Sequence, residues 1–275
     1  MSSSNVSAID IIKFGLDRVM AENKLVLMMG LGFGLVSTVL MAPFGDANGM
    51  GQMILERLGQ DDPQATANQP DLPVIPFIIS NIVSYLAYIA FLLPWARVGL
   101  GSPLAPLEGG VAELGKLAFR ILLQCLVCFI GIAFLVLSFA SLLGIVTPVL
   151  GVVASTIIFF ILAFWIGLAG AASILVLIAV QGFGRPTQLR EVFFLMRTIS
   201  TKLVLAEAYG LFIATLAVML LFVMTTVALP LSIANSIVIP LSSAVSFYVA
   251  AVLISGLDAL PQIQMLKQAP PLGDR

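Results

Sequence analysis

Long apolar runs alternate along this chain with shorter segments in which apolar and charged residues are mixed. Each of six runs has at least about 20 residues, enough to cross the hydrocarbon core of a bilayer as an α-helix. The runs occupy residues 25–44, 74–95, 119–143, 151–180, 203–228 and 237–256. We therefore predict an all-α, polytopic membrane protein whose six transmembrane helices form three hairpins.

The segment before each predicted hairpin has the periodicity of an amphipathic helix lying at the membrane surface. The apolar stripe of the first segment consists of Ile9, Ile12, Leu16 and Val19. The stripe of the second consists of Leu107, Val111, Leu114 and Ala118, and that of the third consists of Leu189, Val192, Phe193, Met196 and Ile199. Ser7 and Asp10 have the spacing of a capping box, which predicts a helix start. We expect each hairpin to be preceded by a cytoplasmic amphipathic helix.

Basic residues indicate the orientation. If the N-terminus is cytoplasmic, 12 of the 13 lysines and arginines face the cytoplasm and only Arg57 does not. The positive-inside rule then places both termini in the cytoplasm, and we expect the protein in the bacterial cytoplasmic (inner) membrane. Six of these residues are predicted to contact anionic lipid headgroups. They are Lys13, Arg18, Lys24, Arg190, Arg197 and Lys202.

The three junctions between connector and span resemble one another and predict an internal repeat. They read NKLVLMMG at 23–30, GKLAFRIL at 115–122 and TKLVLAEA at 201–208. We predict a parallel threefold repeat within a single membrane domain. The domain covers 1–260 with units at about 5–96, 97–181 and 182–256, and a polar cytoplasmic tail without regular structure covers 261–275.

Proline and small residues predict where helices end and where they pack. Pro148 is expected to break the chain within a short turn at 144–150. Small residues four positions apart allow neighbouring helices to approach closely. Such lines consist of Gly30 and Gly34 in the first span and of Ala163, Gly167 and Ala171 in the fourth. For Gly30 and Gly34 the alternative is that glycine is simply frequent in membrane helices.

Composition excludes several classes of function. Hydrophobic residues make up 60% of the chain and charged residues 10%, against about a quarter charged in soluble domains. A net charge of −1 argues against a nucleic-acid partner. Histidine is absent, which removes the commonest general base and metal ligand, so we expect no enzyme, metal or cofactor. Cys125 and Cys128 lack the second ligand pair of a zinc site and are expected to be inert thiols.

A few polar side chains interrupt the apolar runs and form a candidate intramembrane site. Ser80, Ser84 and Tyr88 share one face of the second span, and Glu207 is the ionisable residue within the fifth. The serines and the tyrosine could contact a solute or could form hydrogen bonds between helices. Glu207 is predicted near the cytoplasmic interface, about a turn beyond Lys202. It could pair there with Lys202 or a connector arginine, or it could bind a proton or a cation.

The connectors ARVGLGSPLAPLEGGVAELGKLAFRILL and QGFGRPTQLREVFFLMRTISTKLVL, alternating with hairpins, resemble those of YciC-type bacterial membrane proteins. That family is related to the membrane domain attached to some glycerophosphodiester phosphodiesterases. Histidine is absent and no barrel-sized soluble segment carries an acidic metal cluster. The resemblance therefore implies the membrane fold without the hydrolytic activity.

Three functions fit these observations. The first is a non-enzymatic integral membrane protein with a scaffold or accessory role in the envelope, which contacts lipids and a membrane-protein partner. The alternative is a transporter or lipid-handling protein with a site between the repeats. An intramembrane enzyme is the third, although no acid or base is spaced to activate a serine. A cavity that reaches the membrane centre would favour the second function, and a tightly packed bundle would argue against it.

Overall fold

A computed structural model of the chain describes residues 6–41, 74–184 and 189–268. These residues are almost entirely helical, and no strand occurs among them. The helices are α1 (Ala8–Ala21), α2 (Asn23–Met41), α3 (Val74–Gly99), α4 (Gly110–Leu150), α5 (Val152–Gly182), α6 (Leu189–Ala228), α7 (Leu231–Gly256) and α8 (Pro261–Gln268). A 3₁₀ turn at Leu257–Ala259 joins α7 to α8.

Within the described ranges, six helices, α2 to α7, are long and apolar enough to cross a membrane. The prediction of an all-α chain with six apolar spans is therefore confirmed. Large apolar side chains are exposed along these helices, as expected where lipid is the solvent. Arg57, Arg185 and Arg275, which the orientation prediction uses, lie outside the described residues.

Two of the predicted surface helices are not separate elements. Helix α4 has 41 residues and α6 has 40, and each includes both the connector and the span. At 1.5 Å per residue each is about 60 Å long, roughly twice the hydrocarbon core. A continuous helix satisfies its own backbone hydrogen bonds, so nothing requires a break at the membrane surface. Only α1 is separate from its span, because Glu22 leaves helical geometry at φ −110° and ψ 32°.

The start of α1 is a capping box, as its sequence predicts. The Ser7 hydroxyl accepts a hydrogen bond from the Asp10 amide at 3.2 Å. The Asp10 carboxylate in turn accepts from the Ser7 amide at 2.8 Å and from the Ser7 hydroxyl at 2.7 Å. These bonds, the backbone one first, hold the pKa of Asp10 below its ordinary value.

The face by which α1 packs overlaps the predicted stripe at Val19 and Ile12 but excludes Ile9 and Leu16. Ile9 and Leu16 are 67% and 41% exposed, whereas Ile11, Gly15 and Val19 are buried. The reason is close backbone packing against α7. A Cβ atom on Gly15 would overlap the carbonyl oxygen of Val252. The absence of a side chain thus selects the contact face, and the larger apolar residues remain on the neighbouring surface.

The predicted turn at 144–150 is also helical. Helix α4 continues through Pro148 to Leu150. The chain turns at Gly151, whose φ of 80° lies in a region that favours glycine. Pro148 has no N–H to donate to the carbonyl of Gly144, so the helix lacks that one bond in its last turn.

The segment expected to be an unstructured tail begins with α8. Proline is favoured at a first helical position, which Pro261 occupies. The Lys267 ammonium pairs with the Asp258 carboxylate and donates to the carbonyl of Leu100. It also lies 5.4 Å from the centroid of the Phe183 ring. These contacts hold α8 against the ends of α3 and α5.

Helices α3 and α7 are the centre of the bundle. Helix α7 contacts α1, α2, α3, α5 and α6, and α3 contacts α2, α4, α5 and α7. The fully buried Trp95 links the two, since its indole N–H donates to the Ala251 carbonyl at 3.0 Å. The densest part of the core surrounds the C-terminal ends of α3, α5 and α7.

Candidate functional site

A cavity of about 440 Å³ lies between the helices, and each of the six spans contributes to its wall. The lining residues are Phe33, Asn81, Ser84, Tyr85, Tyr88, Phe129, Ala171, Ile174, Leu175, Glu207, Leu211, Ser243 and Ser246. Its volume is within the range of about 300–1,000 Å³ that is usual for small-molecule sites.

The cavity lies near the middle of the spans. Phe33 is about ten residues from the start of α2, and Tyr88 and Ala171 are each about eleven from the ends of α3 and α5. At 1.5 Å per residue this is about 15 Å along each helix, which equals half of a hydrocarbon core of about 30 Å. The cavity therefore lies about halfway along these three spans.

Glu207 brings a carboxyl group into this cavity. Its side chain is 4% exposed, and its Oε2 atom is buried without a hydrogen-bond partner among the described residues. The predicted alternative was a pair with Lys202 or a connector arginine. In the described part of the chain Glu207 makes no ion pair. Glu207 lies four residues, about 6 Å, into the predicted fifth span. Burying a carboxylate without a partner is costly, so this position calls for a compensating ligand or proton.

The serine hydroxyl groups of the cavity differ in whether they have a hydrogen-bond partner. Ser243 and Ser246 donate to carbonyls of their own helix, at 3.2 Å to Ile239 and at 3.0 Å to Ser242. The Oγ atom of Ser84 is buried without such a partner among the residues described. Ser84 therefore has its hydrogen-bonding capacity available to a ligand.

Two aromatic pairs form walls of the cavity. Phe33 on α2 packs against Tyr88 on α3, with ring centroids 5.3 Å apart. Tyr85 on α3 packs against Phe129 on α4 in an edge-to-face arrangement, with centroids 5.8 Å apart. Such pairs add stability beyond the area that they bury, so they fix the position of the rings around the cavity.

The structure brings together three of the four predicted site residues. Ser84, Tyr88 and Glu207 line the cavity, whereas Ser80 is buried one turn from Ser84 and is not a lining residue. The sequence did not identify Phe33 and Phe129, because aromatic residues in apolar helices resemble ordinary core or lipid-facing positions.

Close helix packing occurs at the first line of small residues. A Cβ atom on Gly34 would overlap the carbonyl oxygen of Pro240, and one on Gly30 would lie 3.4 Å from the Phe247 ring. Helix α2 therefore packs directly on α7 beside the cavity.

The second line of small residues, Ala163, Gly167 and Ala171, is different. Gly167 is exposed, and a Cβ atom there would meet nothing within 4 Å. Ala163 is partly buried, and Ala171 lines the cavity. The close approach of α5 to α4 is made instead by Gly170, whose added Cβ would overlap the Ile132 side chain. Spacing alone did not distinguish Gly167 from Gly170, which lies three residues further along the helix.

The predicted headgroup contacts are also not all alike. Lys13, Lys24, Arg190 and Arg197 are exposed, and Lys202 is partly buried. Arg18 donates to the carbonyl of Val98 at 3.0 Å. The buried Arg97 donates to the carbonyls of Gly182 at 3.2 Å and Glu108 at 2.9 Å. Arg18 and Arg97 thus stabilise the exposed carbonyls at the C-terminal ends of α3 and α5.

Potential metal ligands do not gather in the regions that the structure describes. No group of three or more histidine, cysteine, aspartate or glutamate side chains could hold an ion there. Cys125 is buried and Cys128 is partly buried, and both are free thiols. The groups that the site offers to a ligand therefore include the carboxyl group of Glu207, the hydroxyl groups and the aromatic rings.

No protein-family model, curated protein or solved structure matches this chain. The resemblance of the connectors to YciC-type proteins stays a prediction.

Proposed function

We propose that this membrane protein is a transporter or a lipid-handling protein that binds its substrate in the cavity between the six spans. The observation that carries the proposal is a cavity between the six spans with the carboxyl group of Glu207 buried in its wall. Ionisable groups within membrane spans are costly, and those that are retained often belong to a substrate or ion pathway.

The same cavity weighs against the scaffold function. A scaffold acts through its outer surface, and its interior can be filled by apolar side chains at no functional cost. Here Ser84 and Glu207 have buried polar atoms that lack partners in the described part of the chain. Such groups reduce stability unless a ligand satisfies them. A binding site explains why they are present.

The proposal includes the orientation and the repeat. With both termini in the cytoplasm of a bacterial cell, the end of the bundle that contains Arg18, Arg97 and Lys267 is cytoplasmic, in agreement with the positive-inside rule. The two spans of each predicted hairpin contact each other, and all three pairs contribute residues to the cavity. This arrangement is the one expected for repeats around a central site. Membership of the YciC-type family belongs to the same proposal.

Two phenylalanine substitutions of alanine test the proposed function. Ala171→Phe places a ring in the cavity, and Ala217→Phe makes the same change at an exposed position on α6. Native mass spectrometry of the three purified proteins would detect bound lipids and small molecules. We expect a reproducible ligand on the wild type and on Ala217→Phe, and its loss from Ala171→Phe.

The contrary result is a ligand content that Ala171→Phe leaves unchanged, or no bound ligand on any of the proteins. A protein partner that co-purifies equally with the wild type and both variants, without such a ligand, would support the scaffold function instead.

A further inference from the structure

We propose that the cavity recognises an organic ammonium ion, a molecule with one cationic nitrogen and an apolar body. This inference rests on the proposed function, because it names the substrate class of the same cavity. It is derived from the charge, the aromatic rings and the apolar surface of the lining.

The charge of the lining favours a cation. Among the lining residues that the structure describes, Glu207 is the acidic one and none is a lysine or an arginine. Its Oε2 atom has no hydrogen-bond partner in the described ranges. A cationic ligand provides the opposite charge that a buried carboxylate requires, whereas an anionic ligand would add a second uncompensated charge.

The aromatic rings favour an organic cation over a metal ion. Phe33, Tyr85, Tyr88 and Phe129 line the same cavity as Glu207. Aromatic faces attract alkylated ammonium groups, and each desolvated contact raises affinity by about tenfold or more. A calcium ion instead needs about six to eight oxygen ligands. The lining offers a single carboxylate, and two of its hydroxyls already bond to their own helix.

The rest of the wall fits an apolar body. Ala171, Ile174, Leu175 and Leu211 complete the lining. A volume of about 440 Å³ accommodates more than an ammonium group alone. The ligand is thus amphipathic, with its nitrogen beside Glu207 and its carbon skeleton against the aliphatic residues.

The test uses benzyltrimethylammonium and its uncharged isostere neopentylbenzene. Each is titrated by calorimetry into the full-length protein in nanodiscs of a neutral glycolipid. The variants are Glu207→Gln and, as a matched control, Glu191→Gln, which makes the same change at an exposed position on the same helix. Thermal unfolding of each variant verifies that the fold is retained.

We expect the wild type and Glu191→Gln to bind the ammonium ion at least about tenfold more tightly than the isostere. Glu207→Gln should lose that difference, since its amide has the same shape without the charge. Tyr88→Leu provides a second variant. It should weaken the binding of the ammonium ion more than the binding of the isostere.

Two results overturn the inference, and they are distinguishable. If both compounds bind equally and Glu207→Gln has no effect, the cavity binds ligands without selecting ammonium, and the proposed function stands alone. If neither compound binds the wild type, the ammonium inference fails, and the ligand content of Ala171→Phe decides the proposed function separately.

A final comparison identifies the source of the ammonium group. Phosphatidylethanolamine added to the nanodiscs should compete with benzyltrimethylammonium if the natural ligand is a lipid headgroup. If the affinity for benzyltrimethylammonium is unchanged in the presence of this lipid, the natural ligand is a free amphipathic amine. Either outcome supports the shared chemistry, provided that binding depends on Glu207.

Discussion

The contact between Gly34 and Pro240 gives a sharp test of the bundle, because it determines how closely α2 packs on α7. A Cβ atom on Gly34 would overlap a backbone carbonyl oxygen, which cannot rotate away as a side chain can. Gly34→Ala therefore forces the helices apart. Overpacking of this kind costs about 1–3 kcal/mol, and the better helix propensity of alanine returns up to about 1 kcal/mol. We expect a net loss of about 1–2 kcal/mol.

For a chain of this size each kcal/mol corresponds to about 2–4 °C in Tm, so Gly34→Ala should lower Tm by about 2–8 °C. The free thiols of Cys125 and Cys128 are buried and partly buried, so a thiol-reactive fluorogenic dye reports unfolding in detergent. Gly131→Ala is the matched control. An added Cβ there meets nothing within 4 Å, and its Tm should be unchanged or higher.

Equal Tm values for Gly34→Ala and Gly131→Ala would refute this reasoning. Helix α2 would then not approach α7 at this point. The described position of the neighbouring Phe33, which forms part of the cavity wall, would then also be wrong.

Two further predictions concern the end of the bundle where α3 and α5 finish. Arg97→Met should lower the free energy of unfolding by about 3 kcal/mol, since hydrogen bonds from charged donors contribute about 1.5–3 kcal/mol each and Arg97 donates to carbonyls that include that of Gly182. The exposed Arg120→Met should change it little, and equal effects in thermal unfolding would contradict the described contacts. Lys267→Met removes the ion pair with Asp258. It should accelerate amide hydrogen exchange across α8 while α3 stays protected. Unchanged exchange in α8 would show that Lys267 does not hold α8 in place.

The spans and several cavity residues could be predicted because their signals are local. About 20 apolar residues specify a membrane helix wherever they occur, and a carboxyl group such as Glu207 is conspicuous within such a run. That Ser84, Tyr88 and Glu207 meet was not predictable, because it depends on which helices are neighbours. The sequence shows Gly34 but not that its partner is the carbonyl of Pro240.

Predictions from periodicity failed where backbone contacts outweighed side-chain size. The stripe assigned to α1 contained its large residues Ile9 and Leu16, yet the helix packs through Gly15 because the backbone of α7 fits there. Likewise, proline usually breaks a helix in its interior, but Pro148 lies in the last turn of α4, two residues before Leu150, and the helix continues through it. In both cases the deciding information was three-dimensional.

The binding of benzyltrimethylammonium to Ala171→Phe and Ala217→Phe tests the central claim most directly, since the two variants differ only in whether the added ring enters the cavity. The account predicts that Ala171→Phe weakens binding at least about tenfold, while Ala217→Phe binds like the wild type. Equal affinity of the two variants would contradict it, because the ligand would then bind outside the cavity formed by the six spans.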